Sequence, residues 1–152
     1  MLLAPLTGCQ TGNGRAGAEK FGGSRIDSLN VLTFPVAVNL DTDPGSDGFA
    51  IKLYAGNNRL AKALPINSGS LEVLLFDGML RSIEQKPIKI WHFTPDQLKQ
   101  YQIGTTIGVG YQFALPWNDE RPTQSRFSVV TRLVREGEPV IASSSVDIEM
   151  AQ

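Results

Sequence analysis

The sequence predicts an all-β domain, an antiparallel β-sandwich with one short helix. Two patterns indicate this fold. Apolar side chains recur at every second position in about seven or eight short segments, the period of strands with one buried face. Gly, Pro, Asn and Asp separate these segments, and no helix-length segment joins successive strands as it would in βαβ units. A closed β-barrel of the same strands is the alternative.

Length and composition narrow the class of protein. A chain of 152 residues fits one domain with its own core, and 41% hydrophobic with 19% charged residues is ordinary for a globular protein. The formal net charge is -1, and Lys and Arg are scattered singly. We therefore expect no nucleic-acid partner, because nucleic acids attract a basic surface. No apolar segment reaches the roughly 20 residues of a membrane-spanning helix.

The single Cys of the chain lies within the first ten residues, MLLAPLTGCQ. The letters LTGC at residues 6–9 resemble the lipobox of bacterial lipoproteins, in which the Cys becomes the lipidated N-terminus after cleavage. The resemblance implies that residues 1–8 are the remnant of a signal peptide and that Cys9 carries the lipid. The apolar stretch is shorter than a leader core of about 7–15 residues and no basic residue precedes it, so we expect a start codon further upstream. The alternative is a chance match with an unmodified thiol.

Residues 9–28 are predicted to be the lipidated Cys and a tether, followed by the domain at residues 29–152. The segment from Thr11 to Ser28 contains five glycines and no apolar periodicity, as flexible linkers do. Two or three acyl chains would hold the protein firmly, because each buried CH₂ contributes about 0.8 kcal/mol. Gln10 replaces the Asp that retains enterobacterial lipoproteins in the inner membrane. The resemblance therefore implies an outer-membrane address facing the periplasm.

The domain is expected to be organised around residues 35–54, read as a strand, an acidic turn and a second strand. Leu29, Val31 and Thr33 alternate first, and Pro35 marks a sheet edge or a break, because Pro cannot donate to a ladder. The next two strands alternate on either side of the turn, through Val36, Val38 and Leu40 and then through Phe49, Ile51 and Leu53. Ala50, Lys52 and Tyr54 are assigned to the opposite face of the second strand. Residues 60–64 are expected to cross the surface irregularly.

The middle of the chain predicts a central strand, a further strand and the helix. Residues 71–76 are apolar on both faces, which favours a central strand, and residues 87–93 form the next one. The letters TPDQ at residues 94–97 combine an N-cap, a Pro at the first helical position and a Gln that completes a capping box. We expect the helix to end at residues 103–104.

The last third of the chain predicts a long strand and a hairpin. Residues 105–117 hold apolar side chains at strict period two, and residues 126–135 and 139–150 form the hairpin around the turn at 136–138. The set of strands is typical of immunoglobulin, C2 and transthyretin-like sandwiches. Four aromatic side chains either line a ligand groove or pack in the core and at sheet edges, and packing is the expected role: Trp91, Tyr101, Tyr111 and Trp117.

The acidic turn, residues 41–48 and called the acidic loop below, is the candidate metal site. Carboxylate oxygens bind Ca²⁺, and Asp41, Asp43 and Asp47 would share one ion if the turn folds back, with Asp77 as the partner from the middle strands. An EF-hand is excluded. Its loop has a Glu at the twelfth position, and no Glu stands there when any of these three aspartates is counted as the first. The alternative is a solvated hairpin turn, for which Asp, Pro and Gly are the usual residues.

The letters DPGSDGFAIKLY, at residues 43–54, resemble the first calcium-loop region of C2 domains. The family pattern G-x-S-D-P is followed by an aromatic residue, and here Gly48 replaces its Pro. The family also uses paired aspartates in a later loop, where the candidate residues 118–120 of this chain hold one Asp. The resemblance covers about a dozen residues and implies calcium or phospholipid binding.

No catalytic set can be assembled from the sequence. His92 is the single histidine and Cys9 is assigned to the lipid, so a zinc site or a Cys–His pair lacks ligands. Ser143–Ser145 lacks the G-x-S-x-G elbow of serine hydrolases. We expect no enzyme and no cofactor other than the calcium ion considered above.

Taken whole, the chain resembles the short, uncharacterised lipoproteins of bacterial envelopes. The resemblance implies a structural or protein-interaction module, bound to the membrane through its lipid, with an envelope protein as its partner. Two alternatives stay open. One is a C2-like calcium or phospholipid-binding domain, and the other is an outer-membrane lipoprotein of type VI secretion, a class of similarly short tethered β-sandwiches.

Overall fold

Two five-stranded sheets pack face to face, which confirms the predicted all-β sandwich. The structure, a computed structural model, describes residues 25–151. Cys9, the predicted signal remnant and most of the predicted tether therefore lie outside the described residues. Within the described chain, no helix has the length and apolar character needed to cross a bilayer.

The described residues form ten strands, one α-helix and one 3₁₀ turn. In chain order they are β1 (Ser28–Thr33), β2 (Gly48–Asn57), β3 (Leu60–Leu64), β4 (Ser70–Asp77), β5 (Lys89–Phe93), α1 (Pro95–Leu98), the 3₁₀ turn (Lys99–Tyr101), β6 (Gln102–Thr105), β7 (Gly108–Pro116), β8 (Arg126–Val134), β9 (Ile141–Ala142) and β10 (Val146–Glu149).

Each sheet is built on one long strand with antiparallel neighbours on both sides. In sheet A, β2 pairs with β1 on one side and with β7 and then β3 on the other, and β6 extends the sheet beyond β7. In sheet B, β4 lies between β5 and β8, as expected for a central strand, and β8 pairs further with β9 and β10. The one parallel contact of sheet A joins β3 to β7 at Ala63 and Gly108.

Alternate residues of the two sheets fill the core between them. Phe49 makes edge-on contacts with Trp91 and Phe127, with ring centroids 5.4 and 6.0 Å apart. Trp117 and Tyr111 are buried among the same residues. The expected packing role of the aromatic residues is therefore confirmed. Period two also assigned the core positions of β2, β4 and β8 correctly: Phe49, Ile51, Leu53, Leu71, Val73, Leu75, Phe127, Val129, Thr131 and Leu133.

The predicted strand over residues 36–40 is wrong, because this segment forms two isolated bridges, one to each sheet. β1 ends at Thr33 and pairs with β2 itself. Beyond it, the Ala37 amide donates to the Glu149 carbonyl oxygen at 2.7 Å, and the Glu149 amide donates to the Pro35 carbonyl oxygen at 2.8 Å. Val36 thus bridges to the edge of β10 in sheet B, and Val38 then pairs with Gly48 at the start of β2 in sheet A. The predicted break at Pro35 is confirmed.

Three other boundaries differ from the sequence expectations. Residues 60–64 form strand β3 instead of crossing the surface irregularly, since β2 is long enough to pair with them. The long strand predicted from residue 105 is divided by a turn at 106–107, where Gly108 adopts a positive φ of 120°. The predicted helix start is confirmed with both capping-box bonds at Thr94, but the helix ends earlier, and residues 103–104 lie in β6.

The described chain enters and leaves the sandwich at opposite ends. Near its start, the Arg25 carbonyl oxygen accepts a bond of 2.5 Å from the Asn57 side chain, at the last residue of β2. Gly48 begins β2 at the other end, beside Pro116, and Met150 donates to the Ser125 carbonyl oxygen there at 2.8 Å. We call these the N-terminal end and the distal end. The distal end carries the loops at 39–47, 78–88 and 117–125.

Candidate functional site

The acidic loop, residues 41–48, is held at the distal end by its own side chains. The Asp47 Oδ1 atom accepts a hydrogen bond of 2.6 Å from the Leu40 amide, and the Asp41 Oδ1 atom accepts one of 2.8 Å from the Asp43 amide. Asn39 Oδ1 accepts in the same way from the Asp41 amide at 3.0 Å. The bonds to Asp41 and Asn39 each span two residues, as in Asx turns. Two of the three aspartates therefore shape the backbone of the loop with one carboxylate oxygen each.

Two of these aspartates line a cleft of about 620 Å³, which they share with a third carboxylate. Asp41 and Asp47 lie on one wall, Asp119 and Arg121 are also part of the lining, and Asp43 is not. The loop after β7 is fixed beside the acidic loop because the Trp117 amide donates to the Asp47 carbonyl oxygen at 3.1 Å. In residues 25–151, however, no three carboxylate, imidazole or thiol groups lie close enough together to hold a metal ion.

The C2 resemblance pointed to residues 118–120, but Asp119 was not included in the predicted site, because its proximity depends on tertiary register. Gly48 pairs with Pro116 across β2 and β7, so the two loops that leave these residues emerge side by side. The sequence shows an Asn-Asp-Glu turn at residues 118–120 but does not show which strand lies next to it. Asn118 adopts a positive φ of 50°, which Asn tolerates better than most residues.

Asp77 is placed away from the acidic loop and has partners of its own. It lines a different cleft, between the loops at 78–85 and 124–126. Its carboxylate accepts bonds from the Thr123 hydroxyl at 2.5 Å, the Thr123 amide at 2.9 Å and the Gln124 amide at 3.1 Å. Burial by itself would raise the pKa of Asp77, but these three bonds outweigh it and hold the pKa below its ordinary value. Asp77 therefore organises the loop before β8.

The outer face of sheet B carries charges that satisfy one another. The register aligns His92, Glu72 and Arg132 across β5, β4 and β8. Glu72 accepts a bond of 2.6 Å from Arg132 Nε, and its other oxygen lies 3.4 Å from His92 Nδ1. The Glu72 side chain is only 14% exposed, so this row of charges is partly shielded from water.

Further along the same face, the polar side chains are also engaged. The Ser128 hydroxyl donates to Asp147 at 2.6 Å and accepts from the Leu80 amide at 2.8 Å. Arg126 and Glu149 form an ion pair of 2.6 Å. The hydroxyls and the imidazole that hydrolytic chemistry would draw on therefore have structural partners here.

The outer face of sheet A is different. The register aligns Leu32, Lys52 and Gln112 across β1, β2 and β7, and it places Ala50 beside Ala114 in the next row. As predicted, Ala50, Lys52 and Tyr54 lie on the face opposite the buried positions of β2. No carboxylate lies in these rows. Tyr54 covers Gly110, where an added Cβ atom would meet its ring at 2.9 Å.

A mostly apolar groove of about 180 Å³ crosses this face, and we call it the sheet A groove. Its lining consists of Leu32, Thr33, Phe34, Ala50, Ile51, Lys52 and Gln112. Leu32 is 60% exposed and Phe34 is 62% exposed. Lys52 forms no ion pair with any carboxylate of residues 25–151. The groove therefore combines uncovered apolar side chains with one positive charge that lacks a counter-ion in the described chain.

The chain matches no protein-family model, no curated protein and no solved structure. The functional argument consequently rests on the residues and the geometry described above.

Proposed function

We propose that this protein is a lipid-anchored β-sandwich of a bacterial envelope that acts as a structural or protein-interaction module. The lipobox resemblance at residues 6–9 supplies the anchor, at Cys9. The observation that carries the proposal is the position of Arg25, at the end of the sandwich opposite the distal loops. An anchor attached there leaves both outer faces and the distal end accessible to other proteins.

The polar groups of the described residues favour a binding role over an enzyme. His92 is paired with Glu72, Ser128 with Asp147, and Ser143 accepts a hydrogen bond of 2.9 Å from the Thr131 amide. Each of these side chains contacts a polar group of a neighbouring strand or segment. The three side chains do not combine into a set of nucleophile, base and orienting group. The module binds or spaces other envelope components in this proposal.

Metabolic labelling with palmitate and separation of membranes test the anchor. The wild-type chain should incorporate label and sediment with the outer membrane, whereas Cys9→Ser should lose the label and remain in the periplasmic fraction. Thr11→Ser serves as the matched control, because it makes a similar change two residues beyond the predicted attachment site. Label that survives in Cys9→Ser would refute the anchor. So would a mature chain with an intact Met1 and an unmodified thiol in mass spectrometry.

Calcium binding at the distal end is a second candidate function. It is favoured by the cleft that Asp41, Asp47 and Asp119 line together, and it requires these loops to draw the three carboxylates closer to one another than they lie in the structure. Calorimetric titration of the Cys9→Ser chain should then show heat at up to millimolar Ca²⁺, and Asp47→Asn should remove it. Glu84→Gln, a change in another distal loop, should leave that heat unchanged. If the chain with the unaltered acidic loop gives no heat of binding, calcium binding at the distal end is refuted.

The type VI secretion alternative rests on sequence resemblance alone. A pull-down with the anchored chain as bait distinguishes it, because this alternative requires a specific inner-membrane secretion component to co-purify.

A further inference from the structure

We propose that the sheet A groove is the docking surface for a partner protein that presents a large apolar side chain beside a carboxylate. This inference deepens the proposed interaction function and rests on it. The argument draws on the exposure of the groove, its charge and its size.

Two large apolar side chains of the groove are uncovered. Leu32 and Phe34 both line it, and they are 60% and 62% exposed. Single exposed apolar residues are ordinary on protein surfaces, whereas adjoining apolar side chains with a polar rim mark an interaction site. Asn30 and Gln112, both exposed, lie on the same face, on β1 and β7. The patch therefore has the composition of an interface core.

The charge of the groove specifies the chemistry of the occupant. Lys52 is half-buried between Leu32 and Gln112, and it has no carboxylate partner in the described chain. The attraction between a lysine on an apolar surface and a carboxylate is strongest when the carboxylate is flanked by apolar side chains, because these exclude water from around the ion pair. A basic partner would be repelled. Complementarity therefore favours an acidic and apolar docking segment.

The size of the groove favours a protein over a free small molecule. Small-molecule sites usually enclose about 300–1,000 Å³. The sheet A groove measures about 180 Å³, which is enough for one large side chain of a partner. Protein interfaces commonly concentrate their binding energy in such a pocket filled by a single anchor residue.

A second copy of the chain fits this surface poorly. In a symmetric dimer the same patch would face itself, so each copy would offer Lys52 to the other. The aligned rows of β1, β2 and β7 contain no carboxylate that could accept the charge. A different protein that supplies the acid is therefore the occupant we infer.

Site-specific photo-cross-linking in intact cells of the source organism tests the inference. A benzophenone side chain is placed at Gln112, on the groove wall, in the full chain, and a control carries it at Ile90 on the outer face of sheet B. We expect one protein adduct from position 112 and none from position 90. Lys52→Glu should reduce the adduct at least about tenfold, since like charges across an interface cost several kcal/mol. The matched control Lys62→Glu, on β3, should change it less than about twofold.

A charge exchange makes the test specific. The cross-linked peptide of the partner is identified by mass spectrometry, and its Asp or Glu nearest the adduct is changed to Lys. This change should restore cross-linking to Lys52→Glu and weaken it for the wild type. Melting curves must show that Lys52→Glu remains folded, and Lys52→Gln, which removes the charge without reversing it, should give an intermediate loss.

Each other outcome overturns the inference. An adduct of twice the mass of the chain would assign the groove to self-association, and an adduct with lipid would assign it to the membrane. Equal adducts from positions 112 and 90, or insensitivity to Lys52→Glu, would remove the role of the groove. Palmitate labelling of the same cells separates this failure from that of the proposed function. An anchored chain without an adduct refutes only the docking surface, whereas an unlabelled and soluble chain refutes the anchor.

Discussion

The outer faces of the two sheets have opposite characters. On sheet B, Arg132, Glu72 and His92 form a row. Glu72 forms an ion pair with Arg132 through one carboxylate oxygen, and its other oxygen faces the His92 ring. On sheet A, Lys52 stands without a described counter-ion beside the exposed Leu32. The same strand periodicity thus produces one face that satisfies its own polar groups and one that leaves them available.

A loop accounts for much of this difference. Leu74 and Phe76 point outward from β4, yet they are only 5% exposed. The segment after β4 lies over this part of sheet B, because the Leu80 amide donates at 2.8 Å to the hydroxyl of Ser128, which is paired with Phe76 across β4 and β8. In residues 25–151, no equivalent loop covers Leu32. The comparison teaches that outward apolar residues serve folding on sheet B and are free for binding on sheet A.

A matched pair of substitutions gives the largest expected contrast. Phe76→Ala should lower the free energy of unfolding by about 3 kcal/mol, because it removes a buried ring and leaves a cavity under the loop. Phe34→Ala should lower it by less than about 0.5 kcal/mol, because most of that ring is already in water. Urea unfolding of both variants measures the difference. Equal losses would show that the two faces do not differ in the way we describe.

The charged residues extend the contrast. Glu72→Gln should destabilise the domain by about 1–2 kcal/mol, because Arg132 loses its charged acceptor in a partly shielded site. Lys52→Gln should leave stability unchanged within about 0.5 kcal/mol, since it breaks no described ion pair. A double-mutant cycle with Arg132→Leu isolates the contribution of the pair. A larger loss from Lys52→Gln than from Glu72→Gln would contradict the assignment.

Tyr111 tests whether sheet A is stabilised from its inner side. The Ile66 amide donates to the Tyr111 hydroxyl at 2.8 Å in the core, so Tyr111→Phe should cost about 1 kcal/mol by leaving that amide unpaired. Burial raises the pKa of Tyr111, against the opposing effect of this bond. A raised folded pKa means that stability is complete below the unfolded value of about 10 and declines as the pH rises above it.

Thermal melts from pH 8 to pH 11 measure this effect. Tyr111→Phe should melt lower than the wild type at pH 8, and it should lose less stability than the wild type over the alkaline range. An identical alkaline decline in both proteins would show that Tyr111 ionises in the folded state as it does in the unfolded chain.

Among the substitutions that remove a described contact, Asp77→Asn, at the distal end of the sandwich, has the smallest expected effect. Its pKa is depressed by the bonds from Thr123 and Gln124, so its contribution is present above the unfolded value of about 3.9 and is lost as the pH falls through the folded value. Asp77→Asn should destabilise the domain at pH 7 by about 1 kcal/mol or less, since the carboxylate is largely solvated. As the pH falls below the unfolded value, the difference between the variant and the wild type should shrink. A difference that stays constant with pH would assign the loss to packing.

The regular parts of the fold were predictable because they depend on local sequence. Period two placed Phe49 and Leu71 in the core, and the capping residues placed the start of the helix at Thr94. The segment at 36–40 was mispredicted because Val36 pairs with Glu149, more than a hundred residues later, while Val38 pairs with Gly48 at the start of β2. Apolar alternation is the same whether a segment continues one sheet or crosses to the other.

The candidate sites were predictable only in part. The carboxylates of the acidic loop stand out in the sequence, but the approach of Asp119 follows from the register of β2 and β7. Asp77 was assigned to the same ion, whereas its oxygens face Thr123 and line another cleft. The sheet A groove could not be inferred, because an outward Leu32 and an outward Phe76 differ only in whether a loop covers them.

Footprinting of Lys52 in intact cells tests most directly whether the outer face of sheet A is a docking surface. An amine-reactive reagent that crosses the outer membrane is applied to cells and to the purified full chain, and modified lysines are quantified by mass spectrometry. Lys52 should react readily in the purified chain and be protected in cells, while Lys62 should react equally in both. Equal reactivity of Lys52 in the two samples would show that nothing occupies the groove and would contradict the account.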